Sequence, residues 1–121
     1  MSLIPVEIPQ GLTIPQGADW SQTFKLYNAD GTVYDLSDYT SAKLQARENI
    51  TDSTAYLTLQ TSDGSIVLGG ASGVITLSLN YATTAALTVE QGFFDLYLYK
   101  TTANADRICY GTLYLTKQVT L

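Results

Sequence analysis

The chain has 121 residues, a net charge of −5 at neutral pH, one cysteine and no histidine. Its length fits a single domain with a core of its own, and one cysteine excludes both an intrachain disulfide and a multi-cysteine metal site. The lack of histidine removes the commonest general base and metal ligand, and the six cations, spread along the chain, argue against a nucleic-acid partner.

The first residues, MSLIPVEIPQ, place two prolines among apolar side chains. We predict an extended N-terminal arm over residues 1–11, ahead of a single domain over residues 12–121. The arm cannot bury its own apolar side chains, which are Ile4, Val6 and Ile8. It either folds onto its own domain or docks on a neighbouring subunit, and docking is the favoured expectation. Since the chain contains no long apolar run, we expect neither a signal peptide nor a membrane partner.

Apolar and polar residues alternate along most of the chain, as is typical of strands with one buried face. The alternation is clear in DWSQTFKLYN, SAKLQARE, TAYLTLQ, GVITLSLN, GFFDLYLYKT and RICYGTLYLTKQV. It predicts an inner row that includes Trp20, Phe24, Leu26, Ala42, Leu44, Ala46, Leu57, Leu59, Ile75, Leu77, Leu79, Phe94, Leu96, Leu98, Cys109, Gly111, Leu113 and Leu115. In the last strand the outer row would be Ile108, Tyr110, Thr112 and Tyr114. Short strands between frequent turn signals predict a β-sandwich or a barrel.

The glycine-rich stretch DGSIVLGGASGVITLSL could either cradle a phosphate or connect two strands. A phosphate loop needs a nearby lysine or a following helix, but Gly73 precedes a strand pattern and no lysine lies between Lys43 and Lys100. We therefore predict a hairpin in which Gly69, Gly70 and Gly73 supply turn conformations. Asp-Gly pairs at residues 30–31 and 63–64 are further hairpin signals. The stretch NYATTAALTVEQG predicts one helical turn over residues 81–87, crossing between sheets.

No residues in the sequence are arranged for catalysis. Asp35 and Asp38 belong to a turn, and Asp95 stands alone in an apolar strand, where it faces solvent beside Tyr97 or a partner subunit. Cys109 has no histidine to activate it and is predicted to be buried. We therefore expect a protein that is not an enzyme and that uses no metal and no cofactor.

Three stretches, in this order, resemble a group of small tailed-phage virion proteins: IPQGADWSQTFKLYNADGTVYDLSDYTSAKLQAR, SDGSIVLGGASGVITLSLNYATTAALTVEQGFFDLYLYK and GTLYLTKQV. They are similar to the N-terminal domain of the siphophage baseplate upper protein, over about residues 12–119. The resemblance implies an immunoglobulin-like β-sandwich, here of about seven to nine antiparallel strands. It implies assembly into phage particles, often by attaching fibres or receptor-binding parts to the tail, and brings no catalytic residues. Baseplate upper proteins continue into a long helix and a further domain, so we expect an adaptor or a decoration protein here.

The expected function is that of a virion structural protein, made in the host cytoplasm and located at the tail, baseplate or fibre attachment. Its expected partners are other virion proteins and copies of itself. The candidate assembly contacts are Ile4, Val6, Ile8, Tyr97, Tyr99, Tyr110 and Tyr114. Two alternatives stay open. One is a capsid cement or decoration protein, and the other is a carbohydrate-binding β-sandwich module in which Trp20 or Tyr97 stacks on sugar rings.

Overall fold

A computed structural model describes residues 6–100 and 104–120, of which residues 6–10 are described by their backbone alone. Within these ranges the chain forms eight strands and one short α-helix. In chain order they are β1 (Val6–Pro15), β2 (Trp20–Lys25), β3 (Tyr39–Arg47), β4 (Leu57–Gln60), β5 (Ile66–Leu68), β6 (Val74–Leu79), α1 (Tyr81–Ala85), β7 (Gln91–Lys100) and β8 (Ala105–Thr116).

The strands form two facing sheets, which confirms the predicted β-sandwich. One sheet has the order β1-β8-β7-β3-β4 and the other has the order β2-β6-β5. Immunoglobulin domains divide strands A to G into one sheet containing C, F and G and another containing B, E and D. The present chain has that connectivity, with β3, β7 and β8 as C, F and G and with β2, β6 and β5 as B, E and D. The fold is therefore immunoglobulin-like.

The core lies between the two sheets and follows the predicted alternation. Leu44 of β3 pairs across the sheet with Leu96 of β7, and both side chains are almost completely buried. The three-stranded sheet contributes Ile66, Ile75 and Leu77 from the opposite side. Trp20, Phe24 and Leu26 pack against this core while staying partly exposed. Burial of these apolar side chains supplies the main driving force for folding.

β1 pairs with β8 in parallel, whereas the other strand pairs among the described residues are antiparallel. The expectation of antiparallel strands therefore needs this one correction. Val6 lies opposite Cys109 and Ile8 lies opposite Gly111. β1 thus begins inside the segment that the sequence treats as a separate arm, and the backbone of residues 6–10 folds onto its own domain.

β5 and β6 form the hairpin predicted from the glycine-rich stretch. Gly70 and Gly73 have positive φ angles of 63° and 71°, a conformation that other residues adopt only at a cost. Gly69 differs, because its φ is −88° and the requirement there is space: a Cβ would lie 2.5 Å from Oγ of Ser72. The carbonyls of Gly70 and Gly73 accept hydrogen bonds from the amides of Leu36 and Leu26. The turn therefore holds the connection between β2 and β3 in place.

Four connections carry the chain between the sheets, namely β1–β2, β2–β3, β4–β5 and β6–β7. α1 links β6 to β7, close to the predicted helical turn over residues 81–87, and Oδ1 of Asn80 caps it by accepting a hydrogen bond from the Thr83 amide. The Asp63-Gly64 turn joins β4 to β5, which belong to different sheets, so it does not form the hairpin that its sequence suggests. Asp30-Gly31 does form a tight turn, closed by a hydrogen bond from the Gly31 amide to the Asn28 carbonyl.

Candidate assembly surface

The solvent-facing side of the five-stranded sheet, which we call the outer face, carries the side chains that alternate with the core residues on β3, β7 and β8. Strand register aligns them in rows, one of which contains Gln45, Asp95 and Tyr110. The next row contains Arg47, Phe93 and Thr112. The residues of the outer face are Lys43, Gln45, Arg47, Phe93, Asp95, Tyr97, Tyr99, Arg107, Tyr110, Thr112 and Tyr114.

Four of the predicted contact residues come together on this face. The rings of Tyr97 and Tyr99 stack with their centroids 6.2 Å apart, and burial raises the pKa of Tyr99 above its ordinary value. Tyr110 lies on the neighbouring strand β8, opposite Asp95, which is two residues before Tyr97. Tyr114, which is 40% exposed, lies near the end of β8. The four tyrosines therefore lie on one face of the sheet, in positions that strand register determines.

The other predicted contacts belong to the N-terminal segment. Ile4 lies outside the described residues. Val6 and Ile8 are described by their backbone pairing with Cys109 and Gly111, so the structure leaves the role of their side chains in assembly as a prediction.

Asp95 occupies the centre of the outer face. Its Oδ2 lies 3.4 Å from Nε of Arg107, and the guanidinium carbon of Arg107 lies 4.5 Å from the centroid of the Tyr110 ring. Nε of Arg107 is buried and makes no hydrogen bond to the described residues, so this ion pair is a charge contact without hydrogen-bond geometry. Both side chains are more than a third exposed, so the pair contributes at most about 1 kcal/mol to stability.

A β-bulge in β8 determines which side chains reach the outer face. Leu96 pairs with Cys109 whereas the next residue, Tyr97, pairs with Arg107, so Ile108 is the extra residue. The strict alternation predicted Ile108 on the outer side, and this is wrong, because its side chain is 6% exposed and belongs to the core. Beyond the bulge, Asp106 is partly buried and accepts a hydrogen bond from Tyr39.

Two shallow grooves adjoin one another on the outer face. The larger has a volume of about 340 Å³ and includes the exposed apolar side chains of Ile50 and Phe93. The second, of about 250 Å³, lies between Lys43 and the Tyr97–Tyr99 pair. Arg47 lines both grooves, and its guanidinium donates to the Asp52 carbonyl and to Oε1 of Gln45, which fixes its orientation.

The chemistry of the interior is that of a packed core. Cys109 is buried as predicted, and burial raises the pKa of its thiol to about 11, so it is protonated at neutral pH. Within residues 6–100 and 104–120, no three histidine, cysteine or acidic side chains lie close enough together to hold a metal ion. The same part of the chain contains no helix that is both long and apolar enough to span a membrane.

Sequence reasoning identified the tyrosines of the outer face but missed its cations and Phe93. Alternation already placed Lys43 and Arg47 on solvent-facing positions of β3. It placed Arg107 on the inner side with Cys109, and Arg107 reaches the outer face because of the β8 bulge. The missing information was the register, which brings half of the six cations of the chain onto one surface. Register depends on long-range strand pairing and on the bulge, and neither has a short sequence signal.

Comparison with known proteins gives weak structural similarity alone. No protein-family model matches the chain, and no curated protein matches it. Among solved structures, the chain is similar to extracellular domains 3–5 of OTK from Drosophila, with a TM-score of 0.41 and 15% sequence identity. The match covers 98% of this chain and 36% of that one, so the present chain spans about a third of its neighbour.

Proposed function

We propose that this chain is a non-enzymatic structural protein of a tailed-phage particle. It is a tail, baseplate or fibre-attachment component that acts by protein–protein assembly, and its partners are other virion proteins and copies of itself. The observation that carries the proposal is the outer face, where four tyrosines and two arginines share one sheet surface. The order of sequence motifs, which resembles that of baseplate upper proteins, supports the phage assignment.

The composition of the outer face suits a protein contact. Tyrosine and arginine are enriched in protein interfaces and dominate their binding energy, because each combines a large apolar area with a polar tip. Neutral groups such as Gln45 and Thr112 separate the charges, so a partner displaces water from this surface at little cost. The sheet beneath is rigid, since its outer residues alternate with almost completely buried ones such as Leu96 and Leu98.

Protein quantification on purified particles tests this proposal. Particles grown from the genome that encodes the chain are banded by density, and peptides of the chain are counted by mass spectrometry against those of the major capsid protein. We expect a fixed ratio across the band. Absence of the chain from banded particles, with the chain present in the infected lysate, would contradict a structural role.

The copy number distinguishes the position in the particle. A tail, baseplate or fibre-attachment component is present in few copies, set by the symmetry of the tail, whereas a capsid cement protein follows the number of capsid subunits. A ratio near one copy per capsid subunit would therefore favour the cement alternative over the tail assignment.

The stacked rings of Tyr97 and Tyr99 favour one candidate function of another class, a carbohydrate-binding module. Flat aromatic surfaces bind the apolar faces of sugar rings. Binding of the isolated chain to a glycan array, lost in Tyr97→Ala and retained in Tyr81→Ala, would support this function. An array without signal would leave protein assembly as the role of the face.

A further inference from the structure

The outer face has a net positive charge, whereas the rest of the chain has a net negative charge. Among the side chains that the structure describes on it, the outer face carries three cations, Lys43, Arg47 and Arg107, and one carboxylate, that of Asp95. The chain as a whole has 6 cations and 11 acidic residues, so the remainder holds three cations against ten acidic residues. Arg47 donates to the Asp52 carbonyl and Arg107 pairs with Asp95, so the cation with the least acidic surroundings is Lys43.

The connection between β2 and β3, residues 26–38, is the acidic counterpart of this face. It contains three exposed carboxylates and neither lysine nor arginine. Hydrogen bonds from Thr32 and Ser37 lower the pKa of Asp30 and Asp35, so both are ionised at neutral pH. The exposed Asp38 carboxylate makes no hydrogen bond to the described residues. Lys25, whose Nζ lies 5.8 Å from the centroid of the Tyr27 ring, offsets only one of the three charges.

The apolar parts of the two surfaces also match. Ile50 and Phe93 expose apolar side chains in the larger groove of the outer face, at 73% and 43%. On the acidic connection, Tyr27 and Val33 are 56% and 36% exposed. The connection is held in a defined shape, because its amides bond to the β5–β6 turn and its Asp30 and Asp35 side chains close local turns. A partner would meet a preformed surface, which lowers the entropic cost of binding.

We propose that copies of this chain associate head to tail, the outer face of one copy receiving the acidic β2–β3 connection of the next. This inference rests on the proposed function, since it names the partner of the assembly surface. Face-to-face pairing would instead bring Lys43, Arg47 and Arg107 of two copies together, and like charges across an interface are unfavourable. A head-to-tail contact uses two different surfaces, so it generates rings where the rotation between copies closes.

Charge reversal on each surface, followed by mixing, tests the inference. Lys43→Glu alters the outer face and Asp38→Lys alters the connection, and neither side chain makes a hydrogen bond or an ion pair that holds the described structure together. Exposed substitutions with the same charge changes, Lys117→Glu and Glu90→Lys, serve as matched controls. The dissociation constant of each full-length chain is measured by sedimentation equilibrium at low salt, and circular dichroism establishes that each is folded.

We expect Lys43→Glu and Asp38→Lys each to weaken self-association about threefold to tenfold, because an attraction becomes a repulsion. An equimolar mixture of the two variants should recover the wild-type affinity. When the variants alternate, the altered face of one meets the altered connection of the other, so every interface pairs opposite charges. The two controls and their mixture should match the wild type. Two results would overturn the inference: a wild-type chain that stays monomeric at about 1 mM, or an Asp38→Lys chain that associates normally. Neither result bears on whether the chain is incorporated into particles. Mass spectrometry of banded particles therefore tests the proposed function separately.

Discussion

The hydroxyl of Tyr39 donates a hydrogen bond of 2.5 Å to Oδ2 of Asp106, which is 67 residues away in the chain. Tyr39 begins β3 and Asp106 lies near the start of β8, so the bond connects two strands that are separated by β7. The bond depends on the β8 bulge, which turns Asp106 away from the outer face. Burial, assisted by the hydrogen bond to Asp106, raises the pKa of Tyr39 above its ordinary value.

Removing the Tyr39 hydroxyl should destabilise the fold. Tyr39→Phe keeps the ring but leaves a partly buried carboxylate without its donor, and we expect a loss of about 1–3 kcal/mol in the free energy of unfolding. Urea unfolding at pH 7 measures this loss. Tyr99→Phe is the matched control, because its ring lies on the outer face, and it should change stability by less than about 0.5 kcal/mol. Equal effects of the two substitutions would contradict a stabilising role for the Tyr39–Asp106 bond.

The fold should lose stability at alkaline pH, beginning with Cys109. Burial raises the pKa of this thiol from 9.0 to about 11, so above pH 9 the unfolded chain releases a proton that the folded chain retains. Stability is therefore complete below pH 9 and falls as the pH rises toward 11, by about 1 kcal/mol between pH 9 and pH 10. Tyr56, whose pKa burial raises from 10.0 to about 12, extends the loss above pH 10.

Urea unfolding of the wild type and of Cys109→Ala, measured at several pH values from 7 to 10.5, separates the two contributions. The free energy of unfolding of Cys109→Ala should stay constant with pH until the tyrosines ionise, near pH 10. A wild-type curve that is equally flat up to pH 10 would contradict the assignment of the early loss to the buried thiol.

Glycine at position 73 should be far more sensitive to substitution than glycine at position 70. Both residues have positive φ, so alanine at either costs roughly 1–2 kcal/mol of backbone strain. A Cβ on Gly73 would also lie 2.7 Å from Cγ1 of Val33 and 2.8 Å from the Tyr34 carbonyl, whereas one on Gly70 meets open space. We expect Gly73→Ala to cost at least about 1 kcal/mol more than Gly70→Ala in thermal or urea unfolding. Equal costs would mean that the turn does not pack tightly on the β2–β3 connection.

Thr84 should stabilise the fold more through its hydroxyl than through its methyl group. The side chain is completely buried, and Oγ1 accepts from the Gly17 amide and donates to the Ala18 carbonyl. Thr84→Val leaves both backbone groups unpaired and should cost about 2–3 kcal/mol. Thr84→Ser keeps the hydroxyl and should cost about 1 kcal/mol. The reverse order in urea unfolding would contradict a role for α1 in anchoring the β1–β2 loop.

Strand alternation predicted most of the fold, because the side-chain period of a strand is a local property. Leu44, Leu96 and Leu98 are buried where the period-two pattern put them, and the glycine hairpin and α1 lie where their turn and capping residues indicate. The pattern failed at Ile108, since a bulge shifts the period by one residue and its cause lies in the pairing with β7.

The candidate site was harder to predict than the fold. The tyrosines of β7 and β8 could be recognised as outward-facing from the sequence. That they lie on the same surface as Lys43 and Arg47 follows only from the register of β3 against β7. The parallel pairing of β1 with β8 is likewise a long-range property. Proline-rich extended segments satisfy their backbone groups in several ways, so the sequence of residues 6–10 did not distinguish docking on a neighbour from docking on its own domain.

We propose that the outer face incorporates the chain into particles, and the copy number of a face variant in purified particles tests this proposal. Tyr97→Ser combined with Tyr110→Ser removes two rings from the outer face, while Tyr81→Ser removes a ring that is 64% exposed on α1. Each folded variant replaces the wild-type chain during particle growth, and mass spectrometry of banded particles gives the copies per particle. We expect the copies per particle of the double variant to fall by about tenfold or more, and those of Tyr81→Ser to equal the wild-type number. Wild-type incorporation of the double variant would contradict the claim.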